Sequence, residues 1–316
     1  MNQPIKRVAI IGTGVIGASW AALFLAKGLK VAATDPAPGA EKALRHYVET
    51  AWPALEQLGL TPGASQSNLT FTTNLATCVA DADLVQENGP ERIDFKQNLY
   101  GQLDELLPPD VIIASSSSGL TMSSIQEGCK LHPERCVIGH PFNPPHLIPL
   151  VEIVGGSKTS EDTIERAAQF YTSIGKRTVR LHKELSGHVA NRLQAAVMRE
   201  VYYLVGEGVL SVADVDTALC WGPGLRWGIM GQVLLNHLGG GEGGMGHFLD
   251  QFTGPITAWW KALGSPELTP ELRQKLIDGV HAEVGSRSIQ ELAEERDRIL
   301  LGLLALRTGP GKSNPA

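Results

Sequence analysis

Residues 7–35 read RVAIIGTGVIGASWAALFLAKGLKVAATD. Arg7–Ile11 is a short apolar run of the kind that builds a buried parallel strand. Gly12–Gly17 follows, Ala18–Lys27 has helical composition, and Gly28 closes that helix. Lys30–Thr34 reads as a second strand that ends at Asp35. The stretch predicts one βαβ unit of about 30 residues. Its uncharged part, Val8–Ala26, is 19 residues long, a length that also suits a membrane span or a signal-peptide core. Three glycines lie inside it with Thr13 and Ser19, and no small-residue cleavage site follows. Strand, turn and helix is the reading those residues favour.

Working outward, Leu69–Thr72, Leu84–Gln86, Val111–Ala114 and Cys136–Gly139 read as further strands with helices between them. Arg177–Leu181 reads as the last strand. Such alternation predicts a doubly wound, mainly parallel α/β sheet. Beyond Ser186 only helical patterns remain, at about 188–208, 211–219, 228–238, 244–262, 269–281 and 287–306. The expected layout is a dinucleotide-binding Rossmann domain over 1–185, an all-α domain over 186–307 and a disordered tail over 308–316. A chain of 316 residues has room for two domains. Its net charge of -6 gives it no electrostatic reason to seek nucleic acid or an anionic membrane. The four cysteines, Cys78, Cys129, Cys136 and Cys220, are scattered, and the nearest pair fits no zinc or redox spacing. All four are read as reduced, with no metal site, which suits a cytoplasmic protein.

Gly12-Thr13-Gly14-Val15-Ile16-Gly17 is a G-x-G-x-x-G run between strand and helix. The first glycine permits the tight turn, the second lets a pyrophosphate approach the backbone, and the third lets helix and strand pack closely. The N–H groups at Gly14, Val15 and Ile16 then face the phosphates from the positive end of the helix. Asp35 ends the next strand 18 residues past Gly17, where a carboxylate can hold a ribose 2′-hydroxyl and repel a 2′-phosphate. The expected cofactor is therefore NAD. FAD also fits the glycine run, but no second nucleotide signature accompanies it.

Three polar segments fall near strand ends, where open α/β sheets bind ligands: Ser115–Gly119, Gly139–Pro145 and Pro149–Glu152. Oxidising a secondary alcohol needs a base for the hydroxyl proton while hydride leaves for the nicotinamide. His140 is the natural base, since imidazole titrates near neutrality. Glu152 lies in an apolar run, where a carboxylate is costly unless paired, and pairing with His140 would orient the ring. Ser118, and Asn191 on the helix after Gly187, can hydrogen-bond the reacting oxygen. His182, His188, His237 and His247 are read as structural or surface residues.

Taken together, the glycine loop, the serine-rich turn, His140-Pro-Phe-Asn-Pro, Leu150-Val-Glu152-Ile and Ala190-Asn191-Arg192-Leu193 resemble the L-3-hydroxyacyl-CoA dehydrogenase superfamily. The resemblance covers about residues 6–307. It implies a Rossmann domain followed by a helical domain that forms a homodimer. It also implies Ser118, His140, Glu152 and Asn191 as the catalytic set, and Glu91, Lys96 and Asn143 as cofactor contacts. The turn Gly222–Gly231 and the segment Gly243–Phe252 look like the branch containing L-carnitine dehydrogenase and L-gulonate 3-dehydrogenase. For a small L-3-hydroxy acid, Arg226 could pair with a free carboxylate. Trp221, Trp227, Phe248, Phe252, Trp259 and Trp260 are candidates for a cage around a quaternary ammonium, or for core. The rival substrate is a 3-hydroxyacyl-CoA. Against it, segment 36–68 holds only Lys42 and Arg45 as cations beside Glu41, Glu49 and Glu56. A non-catalytic, crystallin-like NAD-binding protein is the remaining alternative, and all four catalytic residue types speak against it.

Overall fold

The computed structural model describes residues 4–308. The chain divides into two compact units, the first running to Arg192 and the second beginning at Leu193. The strands of the first unit are β1 (Arg7–Ile11), β2 (Lys30–Thr34), β3 (Leu69–Phe71), β4 (Leu84–Glu87), β5 (Ile112–Ser115), β6 (Cys136–Pro141), β7 (Leu150–Gly155) and β8 (Arg177–Leu181). They form one sheet in the order β3-β2-β1-β4-β5-β6-β7-β8. Every pairing is parallel except that of β6 with β7. The strand order reverses between β1 and β4, which makes the carboxyl end of β1 the switch point where such sheets bind ligands.

The uncharged run at the start is core. Helix Val15–Ala26 has every residue from Gly17 to Ala26 buried. A helix that is apolar all round must be covered on all sides, and the sheet and neighbouring helices do this. Trp20 stacks on Phe24 at 5.2 Å and lies against Tyr171 at 5.5 Å. Among the described residues no helix is long and apolar enough to cross a membrane.

Two of the loop glycines are held by their surroundings and one is not. Gly12 has φ +82°, and a Cβ there would sit 2.8 Å from the Asn88 carbonyl oxygen. A Cβ on Gly17 would sit 1.9 Å from the Gly12 carbonyl oxygen. A Cβ on Gly14 would meet nothing within 4 Å, so this glycine faces open space.

Strand β7 was not anticipated; its residues read only as a polar segment followed by an apolar run. Only residues 142–149 join β6 to β7. That is too short for the crossover of a dozen or more residues that a parallel pairing needs, so the chain turns back antiparallel. Strand β6 also runs on past Gly139 to include His140 and Pro141.

The second unit is helical among its described residues. Its helices include Val212–Trp221, Pro223–Trp227, Gln232–Gly239, Gly244–Ala262, Pro270–Val284 and Ile289–Thr308, after the helix Ala190–Gly206 that leads into it. The Gly222–Gly231 segment, read as a turn, thus holds a short helix. Val205, Val212 and Val215 form a small buried cluster, while Trp221, Ile229, Val233, Leu234, Trp259 and Trp260 are exposed. The expected disordered tail falls, from residue 309 onward, outside the described residues.

Gly17→Ala should destabilise the first unit by roughly 1–3 kcal/mol, because a backbone oxygen cannot yield to a methyl group. Gly14→Ala should change stability by less than about 1 kcal/mol. Urea unfolding midpoints measure both, and equal losses would contradict the distinction.

Candidate active site

The glycine loop and Asp35 are tied together directly. Asp35 Oδ2 accepts the Thr13 N–H at 2.8 Å and the Thr13 hydroxyl at 3.2 Å, and Oδ1 accepts the Ala37 N–H at 2.9 Å. A carboxylate offers about four lone-pair sites, so Asp35 keeps capacity for a further donor. Val15, at the first turn of the helix, is exposed, and Ile16 is half-buried beside Gly17. The open face at Gly14 and the unpaired N–H groups of a helix start fit a dinucleotide pyrophosphate.

Next to this loop, the end of β5 carries four serines, and the protein engages the hydroxyls of three. Ser115 donates to Glu87 at 2.6 Å, Ser116 to Asn88 at 2.7 Å and Ser117 to Glu91 at 2.7 Å. The Ser118 hydroxyl makes no hydrogen bond to the described residues. Glu91 shapes the turn: its Oε1 also accepts the N–H groups of Ser118 (3.1 Å), Gly119 (2.6 Å) and Leu120 (3.1 Å). Burial opposes ionisation of Glu91, but the Ser117 hydroxyl, the Gly119 and Leu120 N–H groups and Lys96 hold its carboxyl below the usual range.

Lys96 is almost fully buried and donates to both oxygens of Glu87 at 2.8 Å, with Glu91 Oε2 at 3.8 Å. Its ammonium thus lies beneath Glu91 rather than on open surface. Glu87 was missed in the sequence. The available signal was a carboxylate ending the apolar strand Leu84–Glu87, which demands a buried partner.

The antiparallel ladder places His140 directly opposite Glu152. His140 Nδ1 lies 2.8 Å from Glu152 Oε2, and both side chains are buried. Because a carboxylate only accepts, Nδ1 carries a proton, and in the neutral ring that leaves Nε2 with the lone pair. Glu152 Oε1 accepts the N–H groups of Val189 (2.8 Å) and Ala190 (3.0 Å), at the start of helix Ala190–Gly206. Burial resists the charge on Glu152, but the His140 bond and these two N–H groups keep its carboxyl below the ordinary range. Asn191 is the next residue on that helix, and its amide makes no hydrogen bond to the described residues.

The loop after His140 is pinned at two points. His146 N–H donates to Ser19 Oγ at 2.9 Å, and its Nδ1 lies 2.8 Å from the same oxygen, which belongs to the glycine-loop helix. Lys176 donates to the carbonyls of Pro145 and Ile148 and lies 4.8 Å from the Trp20 ring centre. Burial pulls the Lys176 ammonium down to about 7. Asn143 stands in this loop with its amide unbonded to the described residues. Sequence reading passed over His146 and Lys176, and it took His188 as structural or surface; His188 is buried with its ring centre 4.9 Å from that of His140.

Arg226, Trp227, Phe248 and Phe252 belong to the second unit. There Phe248 and Phe252 pack at 4.9 Å, Trp227 donates to Gln232, and the exposed Arg226 guanidinium has no partner among the described residues. The six aromatics do not make one cage within this unit: Phe248–Phe252 is the one ring contact among them in the described residues. Trp221, Trp227, Phe252, Trp259 and Trp260 are exposed, so these five are not core of this unit, and Phe248 is half-buried.

Known proteins are similar to this chain over nearly its whole length. The family model for the 3-hydroxyacyl-CoA dehydrogenase NAD binding domain matches residues 7–185, and that for the 3-hydroxyacyl-CoA dehydrogenase C-terminal domain matches 187–275. An L-carnitine dehydrogenase of a Pseudomonas species is 49% identical over 309 residues, covering 98% of this chain and 96% of that protein. An L-carnitine dehydrogenase of Bacillus cereus is 47% identical over 305 residues, covering 96% and 93%. Among solved structures, the NAD+ dependent dismutase 5-formyl-3-hydroxy-2-methylpyridine 4-carboxylic acid 5-dehydrogenase superposes with a TM-score of 0.83. It is 31% identical, with 96% of this chain and 99% of that chain covered. A glycine loop at the switch point, a His–Glu pair across one ladder and two consecutive domain matches converge: this chain belongs to the 3-hydroxyacyl-CoA dehydrogenase family, with NAD as its cofactor.

Proposed function

We propose that the protein oxidises the 3-hydroxyl of L-carnitine to give 3-dehydrocarnitine and NADH. The observation that carries the reaction type is the buried His140–Glu152 pair with a free Nε2. The choice of substrate rests on near-half identity to L-carnitine dehydrogenases along almost the whole chain.

In this reading His140 Nε2 takes the hydroxyl proton as the C–H bond breaks and the carbonyl forms. When bound, NAD supplies the acceptor for the departing hydride. Glu152 balances the imidazolium that results, and because it is already ionised and bonded it needs no rearrangement. Ser118 and Asn191, whose side-chain hydroxyl and amide are unclaimed by the described residues, hydrogen-bond the reacting oxygen. Gly12, Gly14, Val15, Ile16 and Gly17 hold the pyrophosphate, and Asp35 the adenosine ribose. Glu91 and Asn143 face the nicotinamide half, and Lys96 supports Glu91 from below. Arg226 is assigned to the substrate carboxylate. Trp227, Phe248 and Phe252 are assigned to the quaternary ammonium.

The exposed apolar side chains of the second unit, such as Trp259, Trp260 and Val233, are what a second copy of the chain would cover. The working form is thus proposed as a homodimer through that unit, in the reducing cytoplasm.

An NADH-formation screen with L-carnitine, L-gulonate, L-3-hydroxybutyrate and a 3-hydroxyacyl-CoA tests the assignment. L-Carnitine should give the highest kcat/KM, and a higher value for the thioester would overturn the choice. In the same assay His140→Asn should lose about 10²–10⁴-fold in kcat while still binding NADH. Asp35→Ser should narrow the preference for NAD over NADP by at least about tenfold, or about 1.4 kcal/mol. An unchanged cofactor preference would remove Asp35 from the ribose site.

A further inference from the structure

Four consecutive residues, Gly187 to Ala190, touch both halves of the candidate site. The Gly187 N–H donates to the Ser118 carbonyl at 3.1 Å. His188 Nε2 lies 2.9 Å from the Ser117 carbonyl. The N–H groups of Val189 and Ala190 hold Glu152. The serine turn and the His140–Glu152 pair are thereby joined through one short segment.

His188 is the unusual member. It is 2% exposed and has φ +47°, a left-handed conformation that side chains other than glycine rarely adopt. Such a conformation persists where surrounding contacts over-determine it, and it clusters at functional sites. A carbonyl can only accept, so Nε2 of His188 carries the proton. Its Nδ1 is buried with no hydrogen-bond partner among the described residues. The ring lies against that of His140 at a centroid distance of 4.9 Å. His140, Glu91 and Glu152 are the titratable groups that act on it, and burial dominates, so that protonation is disfavoured. A second ring that stays neutral does not oppose the imidazolium that His140 must become.

We propose that His188 is a positioning residue for the reaction: its Nε2–H grips the Ser117 carbonyl while its ring abuts His140, fixing Ser118 relative to the base. The role in turnover rests on the dehydrogenase reading above; the grip on the turn does not. His188→Phe keeps a ring and removes the donor. His188→Gln removes the ring and returns an N–H at about the same reach.

Two readouts on the full-length protein separate the ideas. Amide hydrogen exchange over residues 115–121 should be at least about tenfold faster in His188→Phe and close to wild type in His188→Gln. In the NADH-formation assay with L-carnitine, the Phe variant should lose about 10- to 100-fold in kcat, with NADH affinity within about twofold of wild type. The Gln variant should recover most of that loss. Wild-type exchange and kcat in the Phe variant, or a Gln variant as impaired as Phe, would overturn the proposal. If wild type itself turns over none of the screened hydroxy acids, the functional reading fails, and the exchange experiment still decides the grip.

Discussion

In the first unit an imidazole and a carboxylate leave water together, and each is tolerable there because of the other. An isolated carboxylate in that strand would face a desolvation cost of several kcal/mol. Glu152 avoids it by accepting from His140 on one oxygen and from two backbone N–H groups on the other. The bond is a property of the ladder register, because His140 and Glu152 are direct partners across β6 and β7. A slip of one residue would send the two side chains to the wrong face. The short connection between these strands forces the antiparallel turn, and Ser19 and Lys176 hold the connection in place.

The same logic governs the neighbouring strand end. Glu87 and Lys96 form a buried pair, and the spare oxygen capacity of Glu87 takes the Ser115 hydroxyl. Glu91 then gathers three backbone N–H groups and the Ser117 hydroxyl. Polar groups that the protein satisfies become scaffold. The side-chain groups left unbonded by the described residues, at Ser118, Asn143 and Asn191, are the ones proposed to meet a ligand. Hydrogen bonding thus separates the supporting side chains from those to which the proposed function gives a ligand, although both kinds are Ser, Asn, Glu or His.

Local pattern carried much of this. The glycine run and Asp35 lie within one βαβ unit, so their placement together was legible, although the hydrogen bonds from Thr13 that join them were not read. His140 and Glu152 were legible for a different reason: a charge in an apolar run demands a partner. Strand β7 was not read as a strand, because its sense depends on loop length and on β8, which lies beyond a whole helix. His188 was read only as a structural or surface residue, because nothing in its sequence neighbourhood shows that the chain returns to the serine turn 71 residues earlier. The aromatics of the second unit were read as cage or core; exposure, which sequence does not contain, removes Trp221, Trp227, Phe252, Trp259 and Trp260 from the core of that unit.

The proposed catalysis turns on the tautomer of His140, since a proton held on Nδ1 by Glu152 is what leaves Nε2 of the neutral ring as the base. Nitrogen-15 NMR of the histidine-labelled enzyme, with His140 assigned from the His140→Gln spectrum, reads this directly. The predicted result is that neutral His140 shows a protonated Nδ1 and a lone-pair-bearing Nε2, and that Glu152→Gln perturbs this pattern. A neutral ring protonated at Nε2 in the wild type would contradict it.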